Sequence, residues 1–212
     1  MQILVDFALY VFCNLRSYPL MVLNKPAHRV GALLVMILLM VATRSHHIAS
    51  ALHLADASVA IFFLAGLLMR HRLGYFVALL GAAATIDYWA ITFNGVNSFC
   101  ISEAYLMLVP TYATLWMGGF WVASRGREGK AMIGALVPAL LCSSLVAHVI
   151  SSGSFYLWSG RFAAPSFSTF IAREITYAPA YIGYAFFYVG LACTVYFILG
   201  HRPTQSSLPN GG

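Results

Sequence analysis

Asp87, in Ile86-Asp87-Tyr88-Trp89, interrupts one of the longest apolar runs in the chain. A carboxylate within a membrane span is expensive and usually faces a cavity or a partner. Close to the end of a span it can instead reach outward into water beside an aromatic belt, which Tyr88 and Trp89 could supply. Cys100 stands thirteen residues on, in Asn97-Ser98-Phe99-Cys100-Ile101-Ser102-Glu103-Ala104-Tyr105. Most membrane cysteines are small apolar fillers, and Cys142 and Cys193, in mid-span apolar settings, read that way. Polar neighbours set Cys100 apart, and a thiolate there could bind a soft metal or attack an electrophile. The four cysteines, with Cys13, show no CxxC or ribbon spacing, so their number argues neither for a structural zinc site nor for a disulfide framework.

Histidine supplies the other ligand-capable groups. His46, His47 and His53 share one polar connection, where a solvated loop is the commoner reading and an adjacent pair cannot easily point at one ion. His148 falls near the end of an apolar run and reads first as a hydrogen-bonded group within a bundle. A di-haem arrangement needs histidines facing each other on different spans, and only His148 lies within one. The stretch Ser151-Ser152-Gly153-Ser154-Phe155-Tyr156-Leu157-Trp158-Ser159-Gly160-Arg161-Phe162 mixes small residues, which let backbone approach a ligand, with aromatics that make a flat wall. Its ordinary reading is an interfacial loop with an aromatic belt.

The elements that must position these groups are apolar. Of 212 residues 61% are hydrophobic and 8% charged, with a mean hydropathy of +0.81. A soluble domain carries about a quarter charged residues, so a water-soluble fold is excluded. Six apolar runs are predicted to be helical spans: Val30–Thr43, Ala57–Met69, Leu73–Phe93, Ala104–Ala123, Ala131–Ile150 and Tyr177–Leu199. The second is short for a crossing that needs about 20 residues, and alone could be re-entrant. The expected fold is thus an all-α integral membrane protein with one six-helix domain over residues 27–200. Residues 1–26 form an extension, either an interfacial helix or dispensable, and 201–212 a disordered cytoplasmic tail. Asp6 and the lack of early Lys or Arg do not read as a cleaved signal peptide.

Loop charges set the orientation. With both termini in the cytoplasm, the inner segments hold Lys25, Arg29, Arg70, Arg72, Arg125, Arg127, Lys130 and Arg202. The outer ones hold Arg44, Arg161 and Arg173. Basic residues in short clusters between apolar runs mark topology, and the net charge of +6 does not imply nucleic-acid binding. Asp56, Glu103, Glu174, Asp87, the first-loop histidines, Asn94, Asn97 and Cys100 all gather at the outer end, where a binding site is expected. No internal repeat supports an inverted-repeat transporter.

The run Leu54-Ala55-Asp56-Ala57-Ser58-Val59-Ala60-Ile61-Phe62-Phe63-Leu64-Ala65-Gly66 resembles the loop-to-second-helix segment of vitamin-uptake S-components, the six-helix substrate-binding subunits of energy-coupling factor transporters. The Asp87, Cys100 and Tyr105 spacing is similar to that of the small solitary vitamin B12 S-components of Gram-negative bacteria, the BtuM type, and the resemblance spans roughly residues 27–200. It implies a multi-pass protein of the bacterial inner membrane that binds cobalamin at its outer face. Cys100 would ligate the cobalt and assist decyanation of cyanocobalamin. Asp87 and Tyr105 would line the pocket, with His47, or His46, as the first-loop histidine. Asn97, Phe155 and Tyr156 complete the expected substrate contacts, the last two from the stretch before the final helix. The Ala-x-x-x-Ala docking motif of many S-components is represented only by Ala27-x-x-x-Gly31, which leaves an energy-coupling ATPase partner open, and the chain has no nucleotide-binding motif. Two other readings stand beside this one: an S-component for a different small vitamin, or a membrane-embedded enzyme using Cys100 with His47 or His148 as base.

Overall fold

The computed structural model describes residues 26–44, 55–69, 72–93, 103–125, 129–162 and 164–200. Among them there are six α-helices and no strand: α1 (Pro26–Arg44), α2 (Ser58–Leu68), α3 (Leu73–Phe93), α4 (Leu108–Ser124), α5 (Gly129–Trp158) and α6 (Phe167–Gly200). A 3₁₀ turn, Glu103–Met107, leads into α4. Five helical segments are long and apolar enough to cross a membrane. Large apolar side chains point outward along them, among them Leu38, Val77, Met117, Phe187 and Leu191. Lipid is the solvent that makes such a surface favourable, and the architecture is that of a helical multi-pass membrane protein.

The helix α2 differs from the rest. It has 11 residues, about 16 Å of rise, and ten of them are buried. A helix that is apolar all round belongs inside a protein. It packs most closely on α4 and also touches α1, α3 and α6. Glycines set that closeness: a Cβ at Gly119 would overlap the carbonyl oxygen of Phe63, and one at Gly66 the carbonyl oxygen of Trp116. Gly118 serves the other side, where a Cβ would come 2.7 Å from the Ser143 side chain of α5. Backbones in near contact gain the van der Waals packing that holds helices together where lipid removes the hydrophobic drive. Around α2, Phe62 stacks on Tyr112 with ring centroids 4.0 Å apart, and Phe76 meets both Phe62 and Trp116 edge to face.

Chain direction alternates through α1, α2 and α3. Arg44, the last residue of α1, bonds Ser58 at the start of α2 and Asp87 near the end of α3. The short second run therefore carries the chain back from the end of α1 towards the start of α3, sealed in by its neighbours.

The final hairpin is longer than its hydropathy predicts. The helix α5 continues to Trp158, through the Ser/Gly stretch that reads as a loop, and α6 starts ten residues before Tyr177. Tertiary contacts override the weak local propensity. Gly153 lies against the Phe170 ring, and Tyr156 packs between Phe162 and Phe170. Gly160, at φ 68°, takes the left-handed conformation that ends the helix. Ser166 opens α6, its hydroxyl accepting from the Thr169 amide at 3.3 Å as an N-cap.

Candidate functional site

Arg44 organises the end of the bundle where α1 and α3 finish and α2 and α4 begin. Its Nε and Nη2 donate to the two oxygens of Asp87 at 2.5 and 2.7 Å, the fork geometry that suits guanidinium to carboxylate. Its Nη1 lies 2.8 Å from Tyr112 Oη, 3.0 Å from Ser58 Oγ and 3.2 Å from Asp56 Oδ2. Two hydrogens serve these three acceptors. Tyr105 donates its hydroxyl to Asp87 Oδ2 at 2.8 Å. Asp56 Oδ1 accepts from the Ser58 amide at 2.9 Å and hydroxyl at 2.6 Å, placing a negative charge on the N-terminus of α2. Thr43 completes the junction by accepting from the Ala57 amide at 3.2 Å and donating to the Leu39 carbonyl.

Burial decides how these charges behave. The side chains of Arg44 and Asp87 are 12% and 19% exposed, and that of Asp56 is 44% exposed. Arg44 and Asp87 are thus a largely desolvated pair, which holds only if each is well bonded. Asp87 accepts three hydrogen bonds from within the protein, and these hold Arg44 and Tyr105 in place. Asp56 presents the more open carboxylate. With one cation between two carboxylates, the cluster carries a formal charge of −1.

A second polar region lies where α5 meets α6. A cleft of about 610 Å³ is lined by Phe155, Ser159, Gly160, Arg161, Phe162 and Arg173. The Arg173 guanidinium lies over the Phe162 ring at 4.9 Å and the Tyr177 ring at 5.4 Å. Deeper in the seam, His148 Nε2 is 3.2 Å from Glu174 Oε2, with side chains 9% and 12% exposed. Glu174, expected beside an outer loop, is enclosed because α6 begins early and carries it into the seam. Tyr181 packs on His148 with ring centroids 4.7 Å apart.

Asp87 and Tyr105, expected in one pocket, are thus in direct contact. Phe155 is a wall of the cleft. Tyr156 is buried, its hydroxyl accepting from the Ser166 amide at 2.9 Å and donating to the Ser166 carbonyl at 3.2 Å, so it fastens the α5–α6 hairpin. Cys100, Asn97 and His47, with His46 and His53, lie outside the described residues, as do the 1–25 and 201–212 segments. Among the described residues, no three His, Cys, Asp or Glu side chains gather as metal ligands. Cys142 is exposed on α5 and Cys193 is partly buried on α6, both as free thiols.

Sequence reasoning missed Arg44, Ser58 and Tyr112 as members of this site. Arg44 was legible as a lone cation ending an apolar run with Asp87 as a counter-charge at the same end. Tyr112 had no such mark. Neither a scan against protein-family models nor a search of the curated proteins finds a match for this chain.

Proposed function

We propose that this chain is a vitamin B12 uptake protein of the bacterial inner membrane, an S-component-like bundle of six passes with both termini in the cytoplasm. It captures a corrinoid at its outer face. Cys100 ligates the cobalt and assists removal of cyanide from cyanocobalamin, a soft thiolate displacing another axial ligand. His47, Asn97 and Tyr105 contact the substrate, and Phe155 offers an aromatic edge to it. Asp87 acts through Tyr105 and Arg44, and Tyr156 acts through the hairpin it fastens.

The observation that carries this reading is the Tyr105–Asp87–Arg44 chain of hydrogen bonds. It joins three helix ends at the point from which two polar connections depart. His47 follows Arg44 by three residues, and Cys100 precedes Glu103, where the described chain resumes, by three. The cluster therefore ties together the roots of the segments that carry the expected cobalt ligand and the first-loop histidine. Positive-inside asymmetry supports assigning this end to the outside, since the segments at the other end hold most of the Lys and Arg. Energy for release would come from a separate ATPase module or from the substrate's onward consumption.

Equilibrium dialysis of the purified full chain against cobalamin, with biotin, thiamine and riboflavin as competitors, tests the substrate class. Saturable retention of one corrinoid per chain, unaffected by the competitors, is the expected result. Retention of another vitamin in place of the corrinoid would assign the chain to a different substrate, and retention of none would leave the capture function without support.

A further inference from the structure

The cleft between α5 and α6 is lined by two arginines and, among the described residues, by no acid. Arg173 lies over the Phe162 and Tyr177 rings at 4.9 and 5.4 Å. Rings take the face of a guanidinium, while its N–H donors lie in the plane and stay available for other bonds. The buried Nε of Arg173 makes no hydrogen bond within the protein. Glu174, next along α6, brings its carboxylate to 3.2 Å from His148 Nε2, and adjacent residues in a helix do not share a face. Arg161 is exposed. Ser159 Oγ accepts the Arg161 amide at 3.3 Å, which leaves the hydroxyl hydrogen to be donated. Two arginines counted with the one carboxylate, Glu174, give the region a formal charge of +1.

The length of α6 sets the depth of this cleft. From Arg173 to Gly200 the helix rises about 40 Å, at about 1.5 Å per residue. A bilayer measures about 30 Å across its hydrocarbon and about 40–45 Å with its headgroups. With Gly200, which precedes His201 and Arg202, at one surface, Arg173 lies among the headgroups of the other. Between them the same face of α6 is apolar. Tyr177, Tyr184, Phe187 and Leu191 are each at least half exposed. At about 100° per residue they fall within about 40° of Arg173 around the helix.

We propose that Arg161, Arg173 and Ser159 form a phosphate site that holds the phosphodiester of one membrane phospholipid. Its acyl chains lie along the face of α6 that carries Tyr177 and Tyr184. A guanidinium presents parallel N–H groups that match two phosphate oxygens. A phosphodiester brings the single negative charge that offsets the +1 of the region. Inorganic phosphate shares that chemistry but has no chain to lie along the apolar face. The site does not rest on the corrinoid reading, and Phe155 is the one residue named in both.

Native mass spectrometry of the full-length chain, delipidated in detergent and titrated with phosphatidylglycerol, is the test. The wild type should retain one lipid per chain. Arg173→Gln and Arg161→Gln should each need at least about tenfold more lipid for half-saturation, the scale of losing a hydrogen bond to a charged group. Arg125→Gln removes an arginine stacked on Trp121 at the end of α4 and should bind like the wild type. Diacylglycerol, which lacks phosphate, should not be retained, and excess inorganic phosphate should not displace the lipid. No retention by the wild type, or undiminished retention by either cleft variant, would overturn the proposal. Should Arg173→Gln fail to fold, Arg161→Gln, at an exposed position, decides. Equal loss in Arg125→Gln would also overturn it, since any interfacial arginine would then serve. Equal retention of diacylglycerol would leave the phosphate no part, and displacement by inorganic phosphate would make the site one for the free anion; either result contradicts a phospholipid site.

Discussion

Arg44 and Lys carry the same charge, but only guanidinium can bond both oxygens of Asp87 while reaching Ser58 and Tyr112. Arg44→Lys should therefore behave as a disruptive change. Removing one partner of a largely desolvated pair costs about 3–5 kcal/mol, so Asp87→Ala should approach that loss. Tyr105→Phe removes a single hydrogen bond to a charged group and should cost about 1.5–3 kcal/mol. Equilibrium unfolding of the three variants in mixed micelles checks the order, with Tyr105→Phe the mildest. If Arg44→Lys is as stable as wild type, the fork to Asp87 is not what secures the junction. Asp87 was visible in the sequence because a carboxylate in an apolar run demands an explanation. That its bonds run to Arg44 and Tyr105, and not out to water, depends on which helix ends meet, and spacing along one strand of sequence does not encode that.

Hydropathy reads helices well when their surroundings are lipid, and Leu73–Phe93 is bounded identically in sequence and structure. It reads them poorly where packing within the protein decides. The Ser151–Ser154 stretch is polar enough to look like a loop, yet Gly153 and Tyr156 meet Phe170 and keep it helical. Pro165-Ser166 was the local signal for an early start to α6, since serine is a strong N-cap. The glycines of α4 show the same dependence. Gly119 faces the backbone of α2, whereas Gly183 on α6 has open space about it. Gly119→Ala should destabilise the protein by at least 1–3 kcal/mol, the scale of overpacking a filled interior. Gly183→Ala should be neutral or stabilising by about 0.5–1 kcal/mol, from helix propensity. Thermal unfolding of both variants in detergent is the measurement. Equal midpoints would mean that α2 and α4 are not held in backbone contact.

The molecule as a whole separates its chemistry from its lipid-facing surface. Apolar side chains cover the outside of the long helices, and α2 fills the interior. The junction built on Arg44 gathers polar groups at one end. That separation was legible from composition and from Asp56 and Asp87, two acids that the predicted helix ends bring to the same end. The corrinoid reading adds a specific claim: that a thiolate five residues before Tyr105 reaches cobalt. The visible spectrum of bound cobalamin tests it most directly, because the axial ligand sets the cobalt bands. Wild type, Cys100→Ser, Cys142→Ser and Cys193→Ser are loaded under identical conditions and compared. The account predicts one shifted spectrum shared by wild type, Cys142→Ser and Cys193→Ser, and a different one for Cys100→Ser, since a hydroxyl is a poor substitute for thiolate on this metal. Superimposable spectra from wild type and Cys100→Ser would contradict the cobalt bond, and a complete absence of bound corrinoid in all four would contradict the function itself.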